Sequence, residues 1–283
     1  MRQLIVLRLI GGLGNQLFQI LYGRRIAESI DVKIVIDDSF LKNSSKKHEV
    51  LAFPELVKEY GVVTLGWRDL KVKRTVERIF YKLRIKPPKF YRCSYIFDET
   101  DPSELTSSQY IVDGFWQDKK FLDHNFLTNV REALRSVSKE QLTGAHNENA
   151  ICVHIRRGDF VTNRHWFRLQ QIVLSMDYYL KAFDYFKKEF NVSEFHIYTD
   201  DEPWARQFFS ENPMVKIISS SRLSPVDLLY EMTQYENFII ANSTLSWWAA
   251  VLAEAKLKRV VIPEIWGANQ SNEKFCLDGW KSI

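Results

Sequence analysis

Between Ala150 and Ile262, short apolar runs alternate with helical patterns in a regular rhythm that few folds accept. Strands are expected at 150–155, 195–199, 215–219, 237–241 and 259–262, and helices at about 177–190, 202–211, 225–235 and 244–255. Parallel neighbours need a long crossover, which a helix supplies, so this alternation implies a doubly wound parallel sheet. The first half opens the same way. A β-rich run over 3–10 enters Gly11-Gly12-Leu13-Gly14-Asn15-Gln16, a helix is expected from about Leu17 to Ser29, and Val32-Lys33-Ile34-Val35-Ile36 forms a strand ending at Asp37-Asp38. Residues 40–110 alternate less cleanly and read as an insertion. Tyr110-Ile111-Val112-Asp113-Gly114 resumes the strand pattern, followed by a helix near 123–137. With 283 residues the chain has room for two domains. The polar stretch 143–149 is the best linker, which divides the chain into 1–145 and 146–283. The expected fold class is α/β: two Rossmann-like domains facing across a cleft, with the extreme C-terminus packing back on the first.

The strand ends carry the chemistry. A glycine-rich turn between strand and helix suits a phosphate, because helix N-terminal amides face it. Two familiar versions fail. No lysine follows Gly14 as a Walker sequence requires, and Leu17 stands where a dinucleotide fingerprint needs its third glycine. Asp37 sits where a ribose-binding acid would, which keeps a nucleotide-sugar epimerase or dehydrogenase binding NAD(P) in view. Asn15 and Gln16 are two amides suited to hydrogen-bonding a sugar. In Cys152-Val153-His154-Ile155-Arg156-Arg157-Gly158-Asp159, His154 and Arg156 share one face of a buried strand. Arginine offers a fixed fork of donors that matches phosphate oxygens and keeps its charge. Asp159 can orient one guanidinium. In Asn242-Ser243-Thr244-Leu245-Ser246-Trp247-Trp248 a strand runs into a helix, with Ser243 or Thr244 as its N-cap. Thr199-Asp200-Asp201-Glu202 ends another strand, its acids favouring the next helix's positive end. At least one of the two tryptophans is expected to pack, in a core or between domains, rather than serve as a sugar platform.

Composition narrows the class. Hydrophobic residues at 46% and charged residues at 26% fit a globular chain. No signal peptide and no membrane-spanning run is expected. Cys93, Cys152 and Cys276 are odd in number and far apart, as suits a reducing, cytoplasmic setting without a zinc site. No two aspartates are separated by one residue and the six histidines show no ligand spacing, so no metal is expected. The net charge is +4, yet residues 68–92 alone hold ten Lys or Arg against Asp69 and Glu77. One basic segment is not the spread of basic and aromatic residues that nucleic acid demands. It reads as an amphipathic helix with a solvated face, or as a contact with an anionic membrane surface or a lipid-linked substrate.

Four blocks, in order and with similar gaps, resemble the α-1,2-fucosyltransferases of glycosyltransferase family 11, of the bacterial type. They are Gly11-Gly12-Leu13-Gly14-Asn15-Gln16-Leu17-Phe18-Gln19, Asp113-Gly114-Phe115-Trp116-Gln117, His154-x-Arg156-Arg157-Gly158-Asp159 and Ala241-Asn242-Ser243-Thr244-Leu245-Ser246-Trp247-Trp248. The third also resembles α-1,6- and protein O-fucosyltransferases. The resemblance implies a GT-B fold and an inverting, metal-independent transfer of L-fucose from GDP-β-L-fucose to the 2-hydroxyl of a β-galactoside. Residues 1–145, with the basic insertion at about 66–92, would bind the acceptor, a galactoside-terminated glycan that a lipid could carry. Residues 146–283 would bind the donor through His154, Arg156, Arg157, Asp227, Asn242, Ser243 and Thr244. Asp227 would read guanine, Arg156 would bind the diphosphate, Asp159 would serve as base or arginine guide, and Asn15 would position the acceptor. Beyond GDP-fucose no cofactor is implied. The protein would act in the cytoplasm, peripheral at the inner membrane face. A non-catalytic glycan-binding protein is the third alternative.

Overall fold

The computed structural model describes residues 3–29, 32–42, 53–57, 61–63, 94–96, 109–137, 149–158, 161, 172–220, 223–267 and 270–283. The basic segment 68–92, Asp159 and most of the 143–149 stretch lie outside them. The chain forms two compact units, Met1–Ala133 and Leu134–Ile283.

In the first unit, β1 (Gln3–Arg8), β2 (Val32–Asp37), β3 (Gly61–Val63), β4 (Ser94–Ile96) and β5 (Gln109–Val112) form a parallel sheet ordered β3-β2-β1-β5-β4. Helix α1 (Leu13–Ser29) follows β1, the one-turn helices α2 (Ser39–Lys42) and α3 (Pro54–Val57) follow β2, and α4 (His124–Val137) follows β5 and runs past the end of the unit. Helix α1 starts four residues earlier than its apolar spacing suggests. The amides of Asn15 and Gln16 already donate to the Gly12 carbonyl at 3.0 and 3.1 Å, so only Gly11 and Gly12 make the turn. Gly11 has φ +80°, a region other residues enter only under strain. Ile5, Leu7, Leu17, Phe18 and Leu21 are at most 1% exposed and anchor α1 to the sheet. Burial of such side chains stabilises by roughly 1.5–3 kcal/mol each.

The second unit contains β6 (Ala150–Ile155), α5 (Met176–Glu189), β7 (Glu194–Thr199), α6 (Glu202–Phe209), β8 (Val215–Ser219), α7 (Pro225–Met232), β9 (Asn237–Ile239), α8 (Thr244–Leu252) and β10 (Arg259–Ile262). A hairpin, β11 (Ile265–Gly267) and β12 (Gln270–Ser271), precedes β13 (Lys281–Ser282). The sheet is parallel, ordered β13-β10-β9-β6-β7-β8. The C-terminus supplies this sixth strand: Lys281 and Ser282 pair with Val261 and Ile262, and Ile283 donates to the Ile262 carbonyl at 3.1 Å. An unpaired edge beside β10 recruits the last residues locally.

Period-two alternation divides β6 by face. Ile151, Val153 and Ile155 join Phe195, Ile197 and the α5 residues Tyr179, Ala182, Phe183 and Phe186 in one core. Cys152 and His154 occupy the other face, level with His196 and Tyr198 of β7. A buried polar chain runs along that face. His196 Nδ1 meets the Tyr235 hydroxyl at 2.7 Å, that hydroxyl meets Tyr198 at 2.9 Å, and Tyr198 donates to Glu231 of α7 at 2.9 Å. Trp247 and Trp248 are both fully buried, and Trp247 Nε1 donates to the Phe275 carbonyl at 2.8 Å.

Candidate functional site

From β6 the second sheet continues through β7 and β8 on one side, and through β9 and β10 on the other. Loops leaving β6 and β9 therefore part at their carboxyl ends, the place where open α/β sheets bind ligands. His154, Arg156 and Arg157 stand at the first of these strand ends, and Asn242, Ser243 and Thr244 at the second. Two buried tyrosines of α5 brace both: Tyr179 donates to the His154 carbonyl at 3.4 Å and Tyr178 to the Ile240 carbonyl at 2.6 Å.

Asp200 organises the first loop. Its Oδ1 accepts from the amides of Arg157 at 2.8 Å and Gly158 at 3.0 Å, and its Oδ2 accepts from Arg156 Nη1. Burial pushes its carboxyl pKa up, but Arg156 and the two amides outweigh burial and hold it below the ordinary value. A Cβ on Gly158 would lie 2.7 Å from Asp200 Oδ2, so this residue type is what lets the carboxylate dock. Arg157 turns away from its neighbour. Its Nε donates to Asp201 at 3.1 Å and its guanidinium stacks 4.2 Å from the Trp204 ring centroid. Asp201 also caps α6, accepting from the Trp204 amide at 3.2 Å. Asp200 and Asp201 thus hold Arg156 and Arg157; Asp159, expected as base or arginine guide, lies outside the described residues. In parallel register Ile155 faces Thr199, which brings the next residues of the two strands together.

Arg156 keeps 27% of its side chain exposed, within reach of an anion. His154 is 4% exposed, and its Nδ1 is buried without a partner. Burial lowers its pKa to about 4, with Arg156 assisting and Asp200 opposing, so it is a neutral hydrogen-bonding group at neutral pH. Asn242 Nδ2 ties down the carbonyls of Ile172 and Trp266 at 2.8 and 3.1 Å, while its buried Oδ1 has no partner. Ser243 occupies the N-cap position of α8, but its side chain makes no capping bond. The first-turn amides of α8 are therefore not satisfied by that hydroxyl. Asp227 lies in the first turn of α7, where Ser224 Oγ donates to its Oδ2 at 2.6 Å and accepts from its amide at 3.1 Å. That gives it a helix-capping task which its spacing alone did not reveal.

In the first unit the equivalent strand ends are those of β1 and β5, bound together by side-chain amides. Gln19 is fully buried; its Oε1 accepts from Ile10 N at 3.1 Å and its Nε2 donates to the Gly114 carbonyl at 2.8 Å. Gln16, expected to meet a sugar, is also fully buried and donates to the Gly11 carbonyl at 2.9 Å. Asn15 is only partly buried, and its Oδ1 accepts from Gln117 Nε2 at 2.8 Å. Asp37 is fully buried: Arg8 Nε donates to one oxygen at 3.1 Å and the Ser39 amide to the other at 3.0 Å. Arg8 also reaches Asp113 at 3.2 Å. An Asp37 so enclosed does not present its carboxylate to a ribose, which removes the main support for the dehydrogenase alternative. Among the described residues, no three His, Cys, Asp or Glu side chains cluster to hold a metal ion, and no helix is long and apolar enough to cross a membrane.

Comparison with known proteins places this geometry. The chain is 29% identical to an alpha-1,2-colitosyltransferase of Escherichia coli over 305 aligned residues, covering 99% of both chains. It is 27% identical to the O-antigen biosynthesis glycosyltransferase WbnK of Escherichia coli over 302, covering 97% of this chain and 99% of that one. Among solved structures, the fucosyltransferase NodZ from Bradyrhizobium is similar at a TM-score of 0.50 and 13% identity, over 89% of this chain and 93% of that one. A mutant of Arabidopsis thaliana FUT1 in complex with GDP is similar at 0.54 and 10% identity, over 93% and 70%. At such identities these structures speak to the fold, which is of the GT-B type. Residues 94–283 match Glycosyl transferase family 11, well over half of the sequence. The chain belongs to glycosyl transferase family 11.

Proposed function

We propose that this fucosyltransferase-like enzyme moves L-fucose from GDP-β-L-fucose to the 2-hydroxyl of a β-galactoside, with inversion and without a metal ion. One observation carries the reading. A reachable Arg156 guanidinium, aligned by Asp200, stands on the strand beside an α8 N-terminus that its own N-cap side chain leaves uncapped. As the glycosidic bond breaks, positive charge grows on the sugar and negative charge on the departing GDP. Preorganised donors aimed at that diphosphate are the largest kind of catalytic contribution. Arg156 and the Ser243–Thr244 helix start supply them here, in the role a divalent cation plays elsewhere. Neutral His154 and Asn242, each with one buried unpaired atom, are suited to the nucleoside. Arg157 steadies the loop, and Asp227 meets guanine through the carboxylate oxygen that Ser224 leaves unused. Asp200 takes the arginine-guiding role, so Asp159 is proposed as the base, with Asn15 positioning the acceptor. No further cofactor takes part. The acceptor is a galactoside-terminated surface glycan, and residues 68–92 bring the enzyme to the anionic inner face of the membrane from the cytoplasm.

A second reading, colitose in place of fucose, is favoured by the 29% identity to the colitosyltransferase across 99% of both chains. The test is GDP release on mixing the protein with GDP-fucose or GDP-colitose and a panel of β-galactosides, in excess chelator, with NMR assignment of the product linkage. GDP release with an α-1,2 product is expected. A requirement for added divalent ion would refute the metal-free mechanism, and saccharide binding without donor consumption would refute the enzyme reading. Salt-sensitive sedimentation with anionic liposomes tests the membrane contact.

A further inference from the structure

Two local rules are broken within one turn at the carboxyl end of β5. Trp116 has φ +46°, which is strained for a bulky residue. Its indole Nε1 is buried with no partner, although the residue is only 4% exposed. Features that weaken a fold and persist mark a constraint other than stability. The turn stacks Trp116 on Tyr22, ring centroids 4.7 Å apart and planes 8° apart. It leaves Phe115 39% exposed and brings Gln117 to Asn15.

The Gln117–Asn15 bond sets the polarity of the amide. With Nε2 committed to Asn15 Oδ1, Gln117 presents its Oε1, to which none of the described residues donates, as an acceptor for an incoming donor. Asn15 fills space that only glycine leaves open: its Nδ2 lies 2.3 Å from where a Cβ on Gly11 would stand. On the far side of β1, Phe40 after β2 is 40% exposed, so exposed rings follow both neighbours of the strand that leads to Asn15. Beneath them Arg8 faces two carboxylates, Asp37 and Asp113, a balance that disfavours an anionic ligand.

We propose that Phe115 and Gln117, the latter oriented by Asn15, form a subsite for a neutral pyranoside. The Phe115 ring takes the C–H face of the sugar and Gln117 Oε1 accepts one of its hydroxyls. This deepens the proposed function by naming the side chains that would hold the acceptor sugar, and it rests on the reading that the second unit binds the sugar nucleotide. The experiment follows saturation-transfer NMR of lactose, and of a lactose analogue carrying a carboxylate, on the wild-type protein and on Phe115→Ala and Gln117→Leu. GDP affinity is measured by calorimetry on the same samples, with folding checked by thermal unfolding. Lactose should bind the wild type and not its charged analogue. Each variant should weaken lactose binding about tenfold, which is about 1.4 kcal/mol, while GDP affinity stays within about twofold. In turnover the loss should appear in the acceptor KM, with kcat within about threefold. No lactose contact on the wild type, or equal contact on both folded variants, overturns the subsite. Absence of GDP binding by the wild type, with lactose contact still lost in the variants, overturns only the donor reading.

Discussion

Replacing Asp200 with asparagine changes one atom type and removes one charge, and its consequences can be worked out contact by contact. The carboxylate accepts three N–H groups: Arg157 N at 2.8 Å, Gly158 N at 3.0 Å, and Arg156 Nη1. In Asp200→Asn the amide oxygen can keep both backbone donors, but as a neutral acceptor. Hydrogen bonds to charged groups contribute about 1.5–3 kcal/mol and neutral ones about 1, so each loses roughly 1 kcal/mol. The amide nitrogen then faces Arg156, donor against donor. That ion pair has side chains 27% and 21% exposed, so solvent screening limits its loss to about 1 kcal/mol or less. Unfolding in urea should therefore show about 2–3 kcal/mol of destabilisation. Arg156 loses its guide, and GDP affinity measured by calorimetry should fall about tenfold, equivalent to about 1.4 kcal/mol. A stability change below about 0.5 kcal/mol with unaltered GDP affinity would refute the claim that Asp200 organises this loop.

Arg156→Lys keeps the charge but loses the planar fork, and kcat with GDP-fucose should drop on the order of 10²-fold; near-normal turnover would dismiss the arginine role. Gln19→Leu leaves Ile10 N buried without this partner and deprives the half-buried Gly114 carbonyl of its donor, at a cost of about 1–3 kcal/mol in urea unfolding. Acid should weaken the fold before carboxylates titrate. His154 is held near 4 against an ordinary 6.5, so between those values the unfolded chain binds a proton that the folded one refuses. Its contribution is complete above about pH 6.5 and is lost as pH falls toward 4, at most about 3 kcal/mol. In a buffer series the Tm of wild type should decline through that window and that of His154→Phe should decline less. Asp200, held below its ordinary value, loses its own contribution only at lower pH.

The doubly wound architecture was legible because its cause is local. Strand-length apolar runs that alternate with helical patterns have to build a parallel sheet, whatever side chains lie between them. His154 stood out for the same reason, since period two separates it from the core face of β6, and Arg156 follows just past the end of that strand. Contacts between strands distant in sequence were not legible. Asp200 is 44 residues from Arg156, and Gln117 is 102 from Asn15; each pair meets only once parallel register or neighbouring strand ends bring two loops together. Burial was hidden too. Gln16 read as a polar turn residue, yet α1 begins inside the glycine sequence, turns Gln16 and Gln19 into the interior and uses them to satisfy loop backbone. Local pattern selects the elements and the strand ends where chemistry can sit. Which polar groups face a ligand, and which are consumed by the fold, is decided by long-range packing that leaves no periodic trace in the chain.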